Sequence, residues 1–185
     1  TDEPAFANTT IIDGNNTGSC IYVYYCQDSV KISGFTLEHG SGTSLGVNNY
    51  RFGGGIFFYH STGSAKHCVI KNNVVPGSGG GISVLHSDVK LSGNLIKENH
   101  TFLSGGGISI SVSSSVLFDS ICLNNIYLNY SSQACDIYLA SEESSDPIHV
   151  CVDTFTVQNP DQYYILSTSG MGVPNENFTY SILHA

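Results

Sequence analysis

Gly53-Gly54-Gly55-Ile56 recurs as Gly79-Gly80-Gly81-Ile82 and again as Gly105-Gly106-Gly107-Ile108, each time after the same interval. A fixed period of roughly 26 residues marks a chain built from stacked, near-identical units. Two degenerate copies, Gly18-Ser19-Cys20-Ile21 and Ala134-Cys135-Asp136-Ile137, lie one somewhat longer interval before the first copy and after the last. They extend the series to five units. Aligned on the isoleucine, the units give a column of Ile21, Ile56, Ile82, Ile108 and Ile137, and two residues on a column of Val23, Phe58, Val84, Ile110 and Leu139. A spacing of two puts both columns on one face of a strand.

Further round each unit come Ile32, Ala65, Leu91, Leu117 and Val152, then Phe35, Cys68, Asn94, Ser120 and Phe155, then Leu37, Ile70, Ile96, Cys122 and Val157. Helical spacing accounts for none of this. Short strands with tight turns do, since a unit of this length at about 3.3 Å per residue supplies roughly three strands with corners. The predicted fold is all-β: a right-handed single-stranded parallel β-helix of about five coils. Residues 1–10 form an N-terminal lead-in or cap, 11–168 the solenoid, and 169–185 a C-terminal strand-like cap or assembly segment.

Each glycine triplet is expected at a corner, where glycine accepts positive φ and lets successive coils approach. After the Leu37-type column stand Gly40, Asn73, Asn99 and Asn125, the asparagines one period apart. Such a column predicts an asparagine ladder, with stacked amides satisfying turn backbone. Residues 40–52 lengthen the first coil into a loop that carries Arg51, the only arginine. An acidic turn runs from Glu142 to Pro147, and Tyr163 to Ser167 reads as a further first strand. Phe178, Tyr180 and Ile182 alternate like another strand.

Six Lys plus Arg against 15 Asp plus Glu give a net charge of −9, which argues against nucleic acid and anionic lipid as partners. No apolar run approaches the roughly 18 residues of a membrane-spanning helix. The start at Thr1 without a methionine fits a processed chain and, with the repeat class, leads to the expectation of an extracellular or cell-surface location.

Ile11-Ile12-Asp13-Gly14-Asn15, Ile32-Ser33-Gly34-Phe35-Thr36-Leu37 and the Gly-Gly-Gly-Ile units resemble secreted right-handed β-helix proteins of the pectate-lyase-like superfamily. A narrower likeness is to the polymorphic outer-membrane autotransporters, whose passengers repeat Gly-Gly-Ala-Ile and Phe-x-x-Asn. Here the third glycine replaces alanine, and Ile70-x-x-Asn73, Ile96-x-x-Asn99 and Cys122-x-x-Asn125 replace the Phe form. The first resemblance implies the fold, and the second implies surface display and adhesion.

Lyases and hydrolases of this superfamily need clustered carboxylates with a cation or a basic residue. Asp88, Asp119, Asp136 and Asp153 fall at different phases of the repeat, and Arg51 lies in a loop. Expected instead is a non-enzymatic structural or adhesion module that self-associates end to end through Phe178, Tyr180 and Ile182. The alternative is a carbohydrate-active enzyme or a glycan-binding module. No cofactor or metal centre is expected: His60 and His86, one period apart, read as two stacked surface histidines.

Tyr22 and Phe57 share one outward column and Tyr24 and Tyr59 another, a predicted platform for sugar rings or a protein partner. The competing reading has the 40–52 loop folding over them. The six cysteines are expected as mostly buried thiols. Asn-x-Ser/Thr sequons occur at Asn8, Asn15, Asn99, Asn129 and Asn177.

Overall fold

Three parallel sheets run between Ile11 and Ala140, each adding one short strand per coil. In the first, Ile21–Tyr24, Ile56–Tyr59, Ile82–Leu85, Ile108–Ser111 and Ile137–Ala140 lie in that order. The second holds Val30–Ser33, Thr62–Lys66, Asp88–Ser92 and Ser115–Phe118. The third holds Ile11–Asp13, Thr36–Glu38, Val69–Lys71, Leu95–Lys97 and Asn125–Tyr127. The structure, a computed structural model, describes residues 10–46, 49–111, 114–119 and 121–140, together with the backbone of the strands Ile148–Val152 and Phe178–Ile182. The protein is a parallel β-solenoid of about five coils, with no helix among the described residues.

Both columns aligned on the triplets pair as predicted. Ile21, Ile56, Ile82, Ile108 and Ile137 are register partners in series, as are Val23, Phe58, Val84, Ile110 and Leu139. They point into one core cluster with Ile32, Ala65, Leu91 and Phe118 from the second sheet and Leu37, Ile70, Ile96 and Ile126 from the third. In-register stacking puts equivalent residues of neighbouring coils one strand spacing apart, about 4.8 Å, so a single apolar column fills the axis.

Four corners separate the strands, and most carry a left-handed residue at the same place in successive coils. The columns are Tyr25, His60 and His86; Gly34, His67 and Gly93; His39, Asn72, Glu98 and Leu128; and Gly53, Gly79, Gly105 and Ala134, all with positive φ. Histidine and asparagine tolerate this region better than β-branched residues do. In the triplets the first glycine supplies the left-handed turn and the second the close approach. A Cβ on Gly80 would stand 2.4 Å from the carbonyl oxygen of Gly106.

Next to three of these corners runs an inward polar ladder. Ser61 N donates to Ser87 Oγ (3.0 Å). Asn94 Nδ2 donates to Asn124 Oδ1 (2.8 Å). Asn73 Nδ2 donates to Asn99 Oδ1 (2.8 Å), Asn99 Nδ2 to Asn129 Oδ1 (3.0 Å), and Asn129 Nδ2 to Asp136 Oδ1 (2.8 Å). The ladder predicted from the sequence thus includes Asn73 and Asn99 but not Asn125. That residue opens a strand of the third sheet, opposite Leu95.

The fourth coil is longer than the second and third, which displaces every column beyond its first strand. Leu91 pairs with Phe118, so Leu117, expected inside, is exposed, and Ile96 pairs with Ile126, so Cys122 lies outside the column. Ser120, Phe155 and Val157 fall outside the described residues, as do residues 1–9, the 142–147 turn and the 163–167 segment. Phe178, Tyr180 and Ile182 lie on a strand that pairs in parallel with Ile148–Val152 of the same chain.

Candidate aromatic binding shelf

Parallel, in-register pairing turns an aromatic column in the sequence into a stack of rings. On the outward side of the first sheet Tyr22 stacks on Phe57 with centroids 5.1 Å apart and planes 12° off parallel, and Tyr24 on Tyr59 at 5.8 Å and 16°. The corner that follows adds a third stack, Tyr25 on His60 at 4.7 Å and His60 on His86 at 4.4 Å. Edge contacts join the stacks: Tyr24 meets Tyr25 at 4.6 Å, and Tyr59 meets His60 at 4.5 Å.

The four residues named from the sequence therefore come together, with two changes. Phe57 is fully buried, because Phe52 at the end of the 40–52 loop stacks on it at 5.5 Å. It is a base for the shelf and not part of its surface. Tyr25, passed over in the sequence, is among the most exposed rings of the group at 55%. The signal was present: Tyr25, His60 and His86 each stand four residues after the column isoleucine. A left-handed corner there throws all three rings onto the same stack.

Ile21–Tyr24 is the terminal strand of its sheet. Tyr22, Tyr24 and Tyr25 each have one face stacked on the next coil, and no other ring is stacked on their opposite faces among the described residues. Burial, followed by its tyrosine neighbours, pushes the Tyr22 phenol up to about 12, so it is a neutral donor and acceptor at ordinary pH. Burial and then the His60 ring lower the pKa of His86, favouring the neutral form. The shelf thus offers neutral π faces edged by hydroxyl groups.

The groups considered for catalysis are held elsewhere. Arg51 Nη1 donates to Ser41 Oγ and to the Gly42 carbonyl, both at 3.1 Å, and so ties the base of its own loop. Asp119 accepts from the backbone N–H of Ile121 (2.9 Å) and Cys122 (3.0 Å) and faces Lys90 at 3.4 Å. These hold its carboxyl far below the usual range, the backbone bonds contributing most. Asp136 caps the asparagine ladder, where burial raises it to about 6. Asp88 is the exposed first residue of an inner strand of the second sheet, and Asp153 lies outside the described residues.

Cys20, Cys26, Cys68, Cys122 and Cys135 are free thiols, of which Cys68 is buried and the others partly so. No family model, curated protein or solved structure matches the chain.

Proposed function

We propose that this solenoid is a non-enzymatic binding module that displays Tyr22, Tyr24, Tyr25 and Tyr59 at a cell surface or in an extracellular matrix as a docking shelf for neutral glycans. The observation that carries the reading is that Tyr22, Tyr24 and Tyr25, on or just after the terminal strand of the sheet, each have one face stacked on the next coil and no ring stacked on the other among the described residues. Pyranose rings present C–H faces that pack on aromatic planes, and phenol hydroxyls satisfy sugar hydroxyls at the rim. The net charge of −9 disfavours acidic polysaccharides.

The likeness of the repeat motifs to autotransporter passengers supports surface display. Capture of Arg51 by its own loop and of Asp119 and Asp136 by backbone and ladder supports binding over turnover. End-to-end association through Phe178, Tyr180 and Ile182 would use the second edge of that strand, the first being paired with Ile148–Val152 of the same chain.

Incubating the full chain with a panel of neutral polysaccharides, and measuring both retention and new reducing ends or unsaturated sugars, tests the proposal. Retention without turnover is the expected result. Turnover would overturn the non-enzymatic reading, and failure to be retained by any of them would overturn the glycan reading.

A further inference from the structure

Asp13 and Glu38 end adjacent strands of the third sheet and are direct register partners. Two carboxylates therefore stand one strand spacing apart, an arrangement that is unfavourable unless a cation answers it. On one side Lys71 Nζ lies 3.7 Å from Glu38 Oε2. On the other, His39 follows Glu38 at a left-handed corner (φ 56) and places Nδ1 3.1 Å from Asp13 Oδ2. One ligand atom from each of Asp13, Glu38 and His39 lies within 4.8 Å of the others, the one such group of His, Cys, Asp or Glu found among the described residues.

The dimensions and donors fit a transition metal. In a tetrahedral zinc site with bonds of about 2.0 to 2.1 Å, ligand atoms are roughly 3.3 Å apart. The Asp13–His39 separation is already close to that edge. The side chains of Asp13 and His39 are about half exposed, at 53% and 47%, so small rotations remain open to them. One imidazole with two carboxylates suits Zn²⁺ and its neighbours, whereas Ca²⁺ and Mg²⁺ favour sets made of oxygen alone.

We propose that Asp13, Glu38 and His39 form a surface site for a divalent transition metal of the Zn²⁺ class, with solvent completing the coordination. Bound there, the ion replaces the direct contact between His39 Nδ1 and Asp13 Oδ2. It also staples the terminal strand Ile11–Asp13 to the first full coil.

The signal in the sequence is faint but present: Asp13 and His39 are one repeat length apart. The site is independent of the aromatic shelf, so either proposal can fail without the other.

Titrating Zn²⁺ alone into the full chain by calorimetry tests it, with His39→Asn, Asp13→Asn and His60→Gln as variants. Asparagine retains the left-handed backbone at position 39 while removing the ring nitrogen. The expected result is one saturable Zn²⁺ per chain, weakened at least tenfold in His39→Asn and in Asp13→Asn and unchanged in His60→Gln. Circular dichroism should show all three variants folded. Absence of saturable binding, binding indifferent to the first two substitutions, or binding lost in His60→Gln would each overturn the assignment.

Discussion

Asn99 Nδ2 donates to Oδ1 of Asn129, 30 residues further on, while Asn125, a single sequence period on, leaves its Oδ1 without a hydrogen-bond partner. The ladder follows space and not the sequence period. Asn99→Leu removes the acceptor for both the backbone and side-chain N–H of Asn73 and a donor to Asn129. A loss of about 2 to 4 kcal/mol in urea unfolding is expected. Asn125→Leu removes an oxygen that already lacks a partner and should stay within about 1 kcal/mol of the parent. Equal effects of the two substitutions would contradict the ladder.

This pair also shows how far the sequence could be read. The glycine triplets pin the first strand of each coil, so the Ile56 and Phe58 columns were legible throughout. In the fourth coil the chain carries extra residues at two corners, before and after the strand Ser115–Phe118. Their placement depends on which side chain reaches the ladder, a choice the periodic pattern does not encode. Phe57 lies in the outward column that the alternation predicts, and at this ring the competing reading of the loop holds: Phe52, at the end of the 40–52 loop, stacks on it and buries it.

Asp136 occupies the place of a triplet's third glycine and ends the ladder as a buried carboxyl. Its folded pKa is raised, from 3.8 to about 6, chiefly by burial. The folded chain therefore holds this proton more tightly than the unfolded one. That contribution is fully present below the unfolded value and is lost as pH rises through about 6. The rise corresponds to about 3 kcal/mol. Asp136→Asn should stabilise the protein at pH 7 by on the order of 1 to 3 kcal/mol and lose that advantage in acid. Denaturation curves across this range check it, and a variant whose advantage persists unchanged into acid would contradict it.

Two glycines separate crowding from backbone strain. Gly80→Ala drives a methyl against the Gly106 carbonyl and should cost about 3 kcal/mol. Gly34 has open space around it but φ +77, so Gly34→Ala should cost about 1 to 2 kcal/mol. Thermal unfolding ranks them, and the reverse order would mean that successive coils are not stacked as closely as described.

The sequons at Asn99 and Asn129 sit on buried ladder residues, while Asn15 is in an exposed turn. If the chain is sent through a glycosylating secretory pathway, folded molecules should carry glycan at Asn15 and none at Asn99 or Asn129. Chains modified at the ladder should appear in the aggregated fraction. Site-resolved peptide mass spectrometry of the two fractions decides it, and protease-resistant protein glycosylated at Asn99 would contradict the ladder's burial.

If the open tyrosine faces bind sugar, removing them must weaken binding without unfolding the solenoid. The comparison is between binding isotherms of the parent and of the Tyr24→Ala/Tyr25→Ala double variant, both as full chains, for a neutral oligosaccharide that the parent retains. Both rings are more than half exposed, so the fold should survive their removal. Loss of stacking on two rings, at about 1 kcal/mol each, predicts affinity at least tenfold weaker with unchanged circular dichroism. An isotherm identical to that of the parent would contradict a role for these rings in binding.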